Sequence, residues 1–557
     1  MNAYRMPTED IGFVLLDVLD APSQLAALPE AADADAALMR QLLDEMGKFI
    51  DGEIAPLNRM GDETGAQWKD GAVTMAPGFK DAYQAFWQAG WPALSAAPDD
   101  GGQGLPAVLE AVLYENLSAA NHGWTMAPGL LHGAYECLKH HGSDELKARY
   151  LSKLATGEWL ATMCLTEPHA GSDLGAASTR AVPQADGSVK LSGTKIFISG
   201  GEHDLTDNIV HLVLARLPDA PPGPKGLSLF LCPKFYEDGT RSAVFCERIE
   251  EKMGLHGSPT CVMRFDEARG WIVGAPDKGL AAMFVMMNAA RLHVALQGVG
   301  LLGAAWQKAD AYAHDRRQMR APGARETSLL IEHPAMQRIL DTQRAWIDGG
   351  RVLAYQTAIE LDMARHHPDA QRRADAERWC ALTTPVLKSA FTHQAFHGGS
   401  DCLQVFGGHG YVREWGIEQH VRDARVAMIY EGTNEIQAID LLLRKVLPDG
   451  GAALCALLDQ LQADTDEATA AALQQLQDAT RALAARCTQD AALAYHVADD
   501  YLRAVAVALL AWAWARIARC APAAARWQAP ARAFGRWVLP ELAMRLQIVQ
   551  AMETTDA

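Results

Sequence analysis

The chain has 557 residues, which at roughly 150 residues per domain corresponds to about three or four domains. Its composition is 49% hydrophobic and 21% charged with a mean hydropathy of −0.07, which excludes a disordered chain, a collagen-like chain and a bundle of membrane helices. The formal net charge of −18 disfavours nucleic acid and anionic membranes as partners, so a phosphate-bearing ligand needs a local site.

The N-terminal residues lack the pattern of a secretory signal, because Arg5 is followed by the acidic Glu9 and Asp10 without an apolar centre. The ten cysteines are scattered, with no Cys-x-x-Cys pair and no Cys/His cluster at metal-ligand spacing. We therefore expect neither disulfides nor a metal site. The longest apolar run, Ala504–Ala515, is too short to span a bilayer and indicates a buried helix. Together these features predict a cytoplasmic protein.

The first half of the chain changes from a helical to a β-rich pattern. Residues 1–33 form an N-terminal extension, and in residues 34–160 apolar side chains recur mostly at helical spacing, which predicts an N-terminal α-helical domain. Residues 161–279 contain short β-prone runs separated by Gly, Pro and Asp, which predicts an antiparallel β domain. These runs are Ser188–Ser192, Lys195–Ser199, Asn208–Ala215 and Leu227–Leu231.

The second half of the chain is helical throughout. Helical periodicity over residues 280–447 predicts a helical bundle, interrupted by the glycine-rich Phe406–Gly410. The segment Leu447–Gly451 contains a proline and two glycines and marks a domain boundary. Beyond it, residues 448–557 form an extra, alanine-rich helical domain.

Arginines are concentrated in this last domain. Between Arg516 and Arg545 there are six arginines and a single acid, Glu541. The cluster indicates either a solvated helix face or an anion-binding patch.

Four segments in a fixed order carry the functional signal. They are Met163–Asp173 (MCLTEPHAGSD); Gly193–Ser199 (GTKIFIS); Tyr312–Gln318 with Gln404–Gly410 (QVFGGHG); and Arg422–Ala424 followed by Ile429–Gln437 (IYEGTNEIQ). Together they resemble the acyl-CoA dehydrogenase family, which implies an α+β multidomain fold with helical, β, helical-bundle and extra C-terminal helical domains. The N-terminal extension and the helical tail look most like the branch that includes 3-methylmercaptopropionyl-CoA dehydrogenases, which implies a role in fatty acid β-oxidation or in the degradation of dimethylsulfoniopropionate.

The resemblance implies a catalytic base. Removing hydrogens from the α and β carbons of a thioester needs a base on one side of the substrate and a hydride acceptor on the other. Glu431, in its Tyr-Glu-Gly-Thr context, matches the family's catalytic carboxylate, and its backbone NH matches the group that polarises the thioester oxygen. Some relatives carry the base immediately before an arginine on the first bundle helix; here that position is Ala290, which cannot accept a proton.

No protein side chain accepts a hydride, and the resemblance implies FAD as the redox cofactor. The stretch from Met163 to Ser172 matches the strand and loop along the flavin, with Thr166 as the hydroxyl partner of the ring. Arg316 matches a pyrophosphate ligand that reaches a neighbouring subunit's FAD. The full set of matching cofactor positions is Met163, Leu165, Thr166, Gly171, Ser172, Phe197, Ile198, Ser199, Arg316, Gln318, Gln404, Gly407, Gly408, Thr433 and Glu435. Ile198 has the alternative role of sheet core, and Glu435 that of a solvent-exposed helix charge.

Substrate contacts are implied for Ser172, Arg291, Tyr430 and Gly432, where Gly432 leaves room for the acyl-CoA. His256 matches a turn in the β domain, where we expect a satisfied structural histidine. The implied partners are an acyl-CoA, an electron-transfer flavoprotein and a second copy of the chain in a homodimer.

Two other functions remain open at this point. An acyl-CoA oxidase on the same scaffold would pass electrons to oxygen. A DNA-associated stress-response homologue would use basic residues of the helical tail. A catalytically inactive scaffold is disfavoured because the segments of the base and of the flavin are intact.

Overall fold

The computed structural model describes residues 3–31, 33–521 and 525–553, and it describes no side chain for Val285, Asn288, Ala289 and Ala525. The predicted N-terminal extension (1–33) and C-terminal domain (448–557) therefore include a few residues outside this description.

Within these ranges the α-helices are α1 (Thr8–Phe13), α2 (Ala21–Leu25), α3 (Ala36–Phe49), α4 (Asn58–Thr64), α5 (Phe79–Gln88), α6 (Ala107–Thr125), α7 (Leu131–His141), α8 (Asp144–Ala155), α9 (Gly279–Asp315), α10 (Pro334–His366), α11 (Ala370–Val405), α12 (Ile417–Arg425), α13 (Asn434–Ile439), α14 (Ala452–Gln462), α15 (Glu467–Gln489), α16 (Leu493–Cys520), α17 (Ala525–Ala533) and α18 (Pro540–Ala551). The strands are β1 (Gln67–Lys69), β2 (Ala72–Thr74), β3 (Leu160–Cys164), β4 (Arg180–Pro183), β5 (Val189–Ser199), β6 (Ile209–Ala215), β7 (Ser228–Pro233), β8 (Val244–Ile249) and β9 (Thr260–Val273).

The chain forms two compact units that do not follow its order. The first, which we call the helical unit, comprises residues 1–51, 106–120 and 291–557. The second, the sheet unit, comprises residues 52–105 and 121–290. Helices α6 and α9 have residues in both.

The sheet unit contains a seven-stranded sheet in the order β3-β6-β7-β9-β5-β4, with β8 also paired to β9. All neighbouring strands are antiparallel except β3 and β6, which are parallel. The expectation of a purely antiparallel domain is therefore wrong at this edge. Strands β4 and β5 lie between β3 and β6 in the chain, and this long connection allows the parallel pairing.

The predicted strand runs all lie in this sheet, but with different lengths. The two runs expected at Ser188–Ser192 and Lys195–Ser199 join into the single strand β5, which is irregular against β9. The long strand β9 was not predicted, because charged residues at positions 264, 266, 267 and 269 obscure its alternation. A small hairpin, β1 with β2, also interrupts the predicted N-terminal helical domain.

The centre of the helical unit is formed by α10, α11 and α16, with long buried stretches in each. Trp514 donates a 3.0 Å hydrogen bond from Nε1 to the carbonyl of Ala345. A Cβ atom on Gly349 would lie 2.7 Å from Leu510 Cδ2, so a glycine is what allows α10 and α16 to approach this closely. The C-terminal tail is thus part of the core of the helical unit.

Helix α16 contains the predicted apolar run Ala504–Ala515, and the expectation of a buried helix is confirmed. Among the described residues it is the one helix long and apolar enough to cross a membrane, with a mean hydropathy of 1.4 over its candidate window. Of that window, 78% is buried inside the protein, as in a core helix.

The N-terminal segment packs in the helical unit against the tail. Phe13 lies with its ring centroid 4.6 Å from that of Trp527. Arg516 donates a 2.9 Å hydrogen bond from Nη2 to the carbonyl of Val18. Both ends of the described chain therefore contribute to one core.

The boundary predicted at Leu447–Gly451 is a helix stop in the structure. A short 3-10 turn is followed by Gly450 and Gly451 at φ of 68° and 86°, a left-handed conformation that favours glycine. Helix α14 begins directly afterwards.

Candidate active site

Glu431 lies on a left-handed turn that leads into α13. Its φ is 54° and that of the following Gly432 is 83°, which for a residue with a Cβ costs roughly 1–2 kcal/mol. Gln437 donates from Nε2 to the carbonyls of both residues, at 3.1 and 3.4 Å. A Cβ at position 432 would lie 2.7 Å from the same Nε2, so only glycine fits there.

Residues of helix α11 form hydrogen bonds with this turn. Lys388 donates from Nζ to the carbonyl of Gly432 at 2.7 Å and to Asn434 Oδ1 at 3.0 Å. Thr392 donates to the same amide oxygen at 3.1 Å, and Asn434 Nδ2 donates to the carbonyl of Ser389 at 3.2 Å. Side chains from one face of α11 therefore fix the start of α13.

The surroundings of Glu431 change its acidity. Removal of water by the surrounding protein raises the pKa of its carboxyl to about 7, while the positive charges of Arg291 and Lys388 oppose that rise. Burial lowers the pKa of Lys388 to about 7, and Glu431 opposes that shift. A carboxyl with a pKa near neutrality is suited to accept a proton at neutral pH.

Two predicted substrate-binding residues lie in the same unit as Glu431. Arg291 is buried and pairs with Asp440 at 3.4 Å, and its Nε has no hydrogen-bond partner in the described part of the chain. Tyr430 donates from its hydroxyl to Gln297 Oε1 at 2.6 Å. Arg291 thus retains a buried donor that a ligand can use.

The predicted flavin segment of the sheet unit is organised around Glu167. Its carboxylate accepts from Lys195 Nζ at 2.9 Å, from the backbone NH and hydroxyl of Ser178 at 2.7 and 2.8 Å, and from the backbone NH of Thr179 at 3.0 Å. Despite burial, these partners hold the pKa of Glu167 at about 2. Lys195 also donates to the carbonyl of Leu165 at 2.9 Å, so the ion pair fixes the loop that follows β3.

The end of β5 presents an aromatic side chain. Phe197 has a φ of 59° at the irregularity between Lys195 and Ile198, and 60% of its surface is exposed. Ile198 is buried in the sheet unit. The loop after β3 is hydrogen-bonded to β5 at this point, because the NH of Ile196 donates to the carbonyl of Thr166 at 2.9 Å.

The remaining predicted residues of β3, of the loop after it and of β5 differ in burial. Met163 is buried, Leu165, Thr166 and Ser199 are half-buried, and Gly171 and Ser172 are exposed. A Cβ on Gly171 would meet no atom within 4 Å.

A second group of predicted cofactor residues lies at the end of α9 and α11. Arg316, Gln318, Gln404, Gly407 and Gly408 are all exposed. The two segments are joined where the Tyr312 ring stacks on Phe406 with centroids 4.2 Å apart. Neither glycine of the loop would bring a Cβ within 4 Å of another atom, which leaves the backbone open to a ligand.

The two predicted cofactor positions after the base have visible local roles. Thr433 is the N-cap of α13, where its hydroxyl accepts from the NH of Ile436 at 3.3 Å. Glu435 is exposed, which agrees with the alternative role of a helix charge, and hydrogen bonding by Thr433 and the backbone lowers the pKa of its carboxyl.

Two further expectations concern residues that were not predicted to be catalytic. His256 is satisfied, with Nδ1 2.8 Å from Asp62 Oδ1 and Nε2 2.9 Å from the carbonyl of Lys252, as a structural histidine requires. Ala290, on α9, is buried and offers no proton acceptor.

The arginine cluster of the tail is mostly neutralised within the protein. Arg516 and Arg519 pair with Asp464, Arg526 pairs with Asp10 and Asp348, and Arg545 pairs with Asp500 and Glu541. Four of the six arginines thus form internal ion pairs, which neither the solvated-face nor the anion-patch interpretation anticipated.

All ten cysteines lie in the described ranges and are free thiols. The same ranges contain no group of three or more His, Cys, Asp or Glu side chains that could hold a metal ion.

Sequence reasoning missed the residues that support the site. Lys388, 43 positions before Glu431, and Asn434, three positions after it, support the Glu431 turn. In the sheet unit, Glu167 and Lys195 form an ion pair. The available signal was a lysine inside the apolar run Val386–Phe391, since lysine is almost never buried without a specific partner.

Comparison with known proteins gives a consistent family. Family models of the acyl-CoA dehydrogenase N-terminal, middle and C-terminal domains match residues 38–158, 162–268 and 277–446, and an "acetyl-CoA dehydrogenase C-terminal like" model matches 449–556. The chain is 44% identical over 455 residues to a 3-methylmercaptopropionyl-CoA dehydrogenase of Ruegeria pomeroyi, covering 80% of this chain and 77% of the relative.

Two further matches extend the comparison. The chain is 36% identical to the broad-specificity linear acyl-CoA dehydrogenase FadE5 of Mycobacterium tuberculosis, covering 84% of this chain and 79% of the relative. In fold it is similar to an acyl-CoA dehydrogenase of Bacillus anthracis solved in complex with FAD, with a TM-score of 0.75, 22% identity, and 96% and 91% of the two chains covered.

Proposed function

The chain belongs to the acyl-CoA dehydrogenase family, and from this premise we propose that it converts an acyl-CoA to the α,β-trans-enoyl-CoA with Glu431 as the base that takes the α proton. As a family member the protein is an FAD-dependent oxidoreductase. The observation that carries the assignment of the base is the Glu431 carboxyl itself, whose pKa of about 7 suits proton transfer at neutral pH.

The residues present fit an FAD. Phe197 offers an exposed aromatic face for a ring system, and Thr166, Ser172 and Ser199 offer hydroxyls in the same sheet unit. In the helical unit, Arg316 and the open backbone of Gly407 and Gly408 are suited to a pyrophosphate. When bound, FAD supplies the acceptor for the β hydrogen and its electron pair, which no side chain provides.

The chain's own groups perform the rest of the reaction. Glu431 takes the α proton on its carboxylate, and its backbone NH donates to the thioester oxygen, where negative charge develops. Gly432, whose φ of 83° favours glycine, is proposed to lie beside the substrate. Arg291, with an unused buried donor, and Ser172 and Tyr430 are proposed to contact the acyl-CoA.

The substrate is proposed to be 3-methylmercaptopropionyl-CoA or a fatty acyl-CoA. The 44% identity to an enzyme named for the first supports it, and the 36% identity to a broad-specificity linear enzyme supports the second. A panel from propionyl-CoA to palmitoyl-CoA, with the thioether substrate included, compares the rates of flavin bleaching under anaerobic conditions. Failure of every acyl-CoA to bleach the flavin would refute the proposed reaction.

We further propose that the active protein is a cytoplasmic homodimer that passes electrons to an electron-transfer flavoprotein. The exposed Arg316 and Gln404–Gly408 segments, which adjoin at the Tyr312–Phe406 stack, support a site completed by a neighbouring subunit. Light scattering tests the dimer, and a monomer that turns over at full rate would contradict it. The electron acceptor is tested by comparing turnover with the flavoprotein against peroxide formation in air, where peroxide at the same rate would indicate an oxidase.

A further inference from the structure

Lys388 is a lysine whose side chain is fully buried in the helical unit. Removing an ammonium from water is costly unless specific partners replace the water. Both hydrogen-bond acceptors of Lys388 belong to the turn that carries Glu431: the carbonyl of Gly432 and the side chain of Asn434. The burial of this charge is therefore compensated by the catalytic turn alone.

The turn needs such support because two consecutive residues, Glu431 and Gly432, are left-handed. Asn434 connects Lys388 to the first turn of α13 and is itself held by Thr392 and by the carbonyl of Ser389. Loss of Lys388 would leave the Gly432 carbonyl with only the longer 3.4 Å hydrogen bond from Gln437 and would remove one donor to Asn434 Oδ1.

The charge of Lys388 also acts electrostatically on Glu431. Two cations act on this carboxylate, Arg291 from α9 and Lys388 from α11, while Glu435 of α13 acts on Lys388. Arg291 is paired with Asp440 at 3.4 Å, and Tyr430 beside the base stays neutral because burial raises the pKa of its hydroxyl. The described part of the chain gives Lys388 no ion pair of this kind, and the acids that act on its charge are Glu431 and Glu435.

We propose that Lys388 is a positioning residue for the catalytic carboxylate: through Gly432 and Asn434 it holds the turn in its left-handed conformation, and its ammonium favours the ionised form of Glu431. This inference rests on the proposed function, because it assumes that Glu431 is the base. It adds a residue that touches neither substrate nor cofactor.

The test uses the full-length, FAD-loaded protein, three variants and one matched control variant. Lys388→Met removes the charge and both hydrogen bonds. Lys388→Gln removes the charge but keeps a donor, and it serves where the methionine variant does not fold. Asn434→Ala removes one of the two hydrogen-bond acceptors of Lys388 and keeps the lysine charge. Lys445→Met removes an exposed positive charge from the same unit and is the matched control.

The first readout is the pH dependence of anaerobic flavin bleaching. Without the Lys388 ammonium the pKa of Glu431 rises, so the pH at which the rate reaches half its maximum moves up in Lys388→Met or Lys388→Gln. Because burial lowers the pKa of Lys388 to about 7, the ammonium is only partly present at that midpoint, and the expected shift is about half a unit. Asn434→Ala slows bleaching roughly tenfold or more without moving that pH. An unmoved midpoint in the Lys388 variants, equal to that of Lys445→Met, overturns the role of the charge.

The second readout does not depend on the reaction. Hydrogen exchange of the backbone amides in peptides covering residues 429–437 reports the order of the turn, and we expect it to quicken roughly tenfold or more in Lys388→Met and Asn434→Ala but not in Lys445→Met. Unchanged exchange in Lys388→Met and Asn434→Ala would overturn the proposal that Lys388 holds the turn through Gly432 and Asn434. If the wild-type protein fails to bleach with any acyl-CoA, the proposed function fails, while the exchange result still decides whether Lys388 holds the turn.

Discussion

The guanidinium of Arg526 binds the buried carboxylate of Asp348 at two points, with Nη1 3.0 Å from Oδ2 and Nη2 3.2 Å from Oδ1. The same arginine pairs through Nε with Asp10 of the N-terminal segment. One side chain of the tail therefore connects α17, α10 and α1.

Replacing Arg526 by glutamine is expected to lower the free energy of unfolding by roughly 1–3 kcal/mol, because Asp348 would lose its two-point partner and keep only Arg344 and Arg351. Urea unfolding followed by circular dichroism measures the change. Arg536, an exposed arginine of the same tail, is the control, and Arg536→Gln should stay within about 0.5 kcal/mol of wild type. Equal effects of the two variants would show that the Arg526 contacts contribute nothing.

Glu431→Gln is expected to retain FAD and to slow flavin bleaching by roughly 10²–10⁴-fold, because the amide keeps the size of the side chain but cannot accept a proton. Anaerobic stopped-flow spectroscopy with an acyl-CoA measures the rate. The control is Glu377→Gln, an exposed glutamate on α11. Bleaching at the wild-type rate in Glu431→Gln would exclude this residue as the base.

The pH dependence follows from the raised pKa of Glu431. Only the ionised carboxylate accepts the α proton, so kcat/KM rises with pH and reaches half its maximum at about pH 7, the pKa of the free enzyme. Substrate that expels more water from the carboxyl raises the pKa further, so the midpoint for kcat lies at a higher pH than that for kcat/KM. A midpoint near the ordinary glutamate pKa of 4.5 would contradict this environment.

Glu167→Gln is expected to destabilise the protein by roughly 3–5 kcal/mol at pH 7, since it leaves the buried ammonium of Lys195 without a counter-charge. The pKa of Glu167 is lowered from 4.5 to about 2, so its contribution is complete above pH 4.5 and is lost as the pH falls toward 2. Urea unfolding at several pH values should therefore show the gap between wild type and variant closing below pH 4.5. Exposed Glu251→Gln serves as the control, and a gap that is independent of pH would contradict the shift.

Duplex DNA is expected to show no specific, salt-sensitive shift with this protein in a gel. The net charge is −18, and four of the six tail arginines are already paired with acids of the chain. A shift at low salt that disappears on adding salt would restore the alternative of a DNA-associated homologue.

The sequence motifs point to the proposed reacting groups but not to the residues that support them. Glu431 and Gly432 stand in a short, contiguous pattern whose chemistry can be recognised locally. Lys388 contacts the same turn from a different helix. A contact between residues so far apart in the chain has no characteristic sequence separation by which it could be recognised. The parallel pairing of β3 with β6 was hidden for the same reason, because the partner of an edge strand depends on where the chain returns.

The helical unit contains residues from both ends of the chain, and this affects the order in which the protein can fold during synthesis. Val18, near the start, accepts hydrogen bonds from Arg516, and the intervening sheet unit is built from residues 52–105 and 121–290. During synthesis the sheet unit can therefore fold before Arg516 has been added to the chain. Until then the N-terminal segment lacks the residues of the tail against which it packs. Truncation by a premature stop codon in the tail would leave that segment's apolar side chains as a binding site for chaperones.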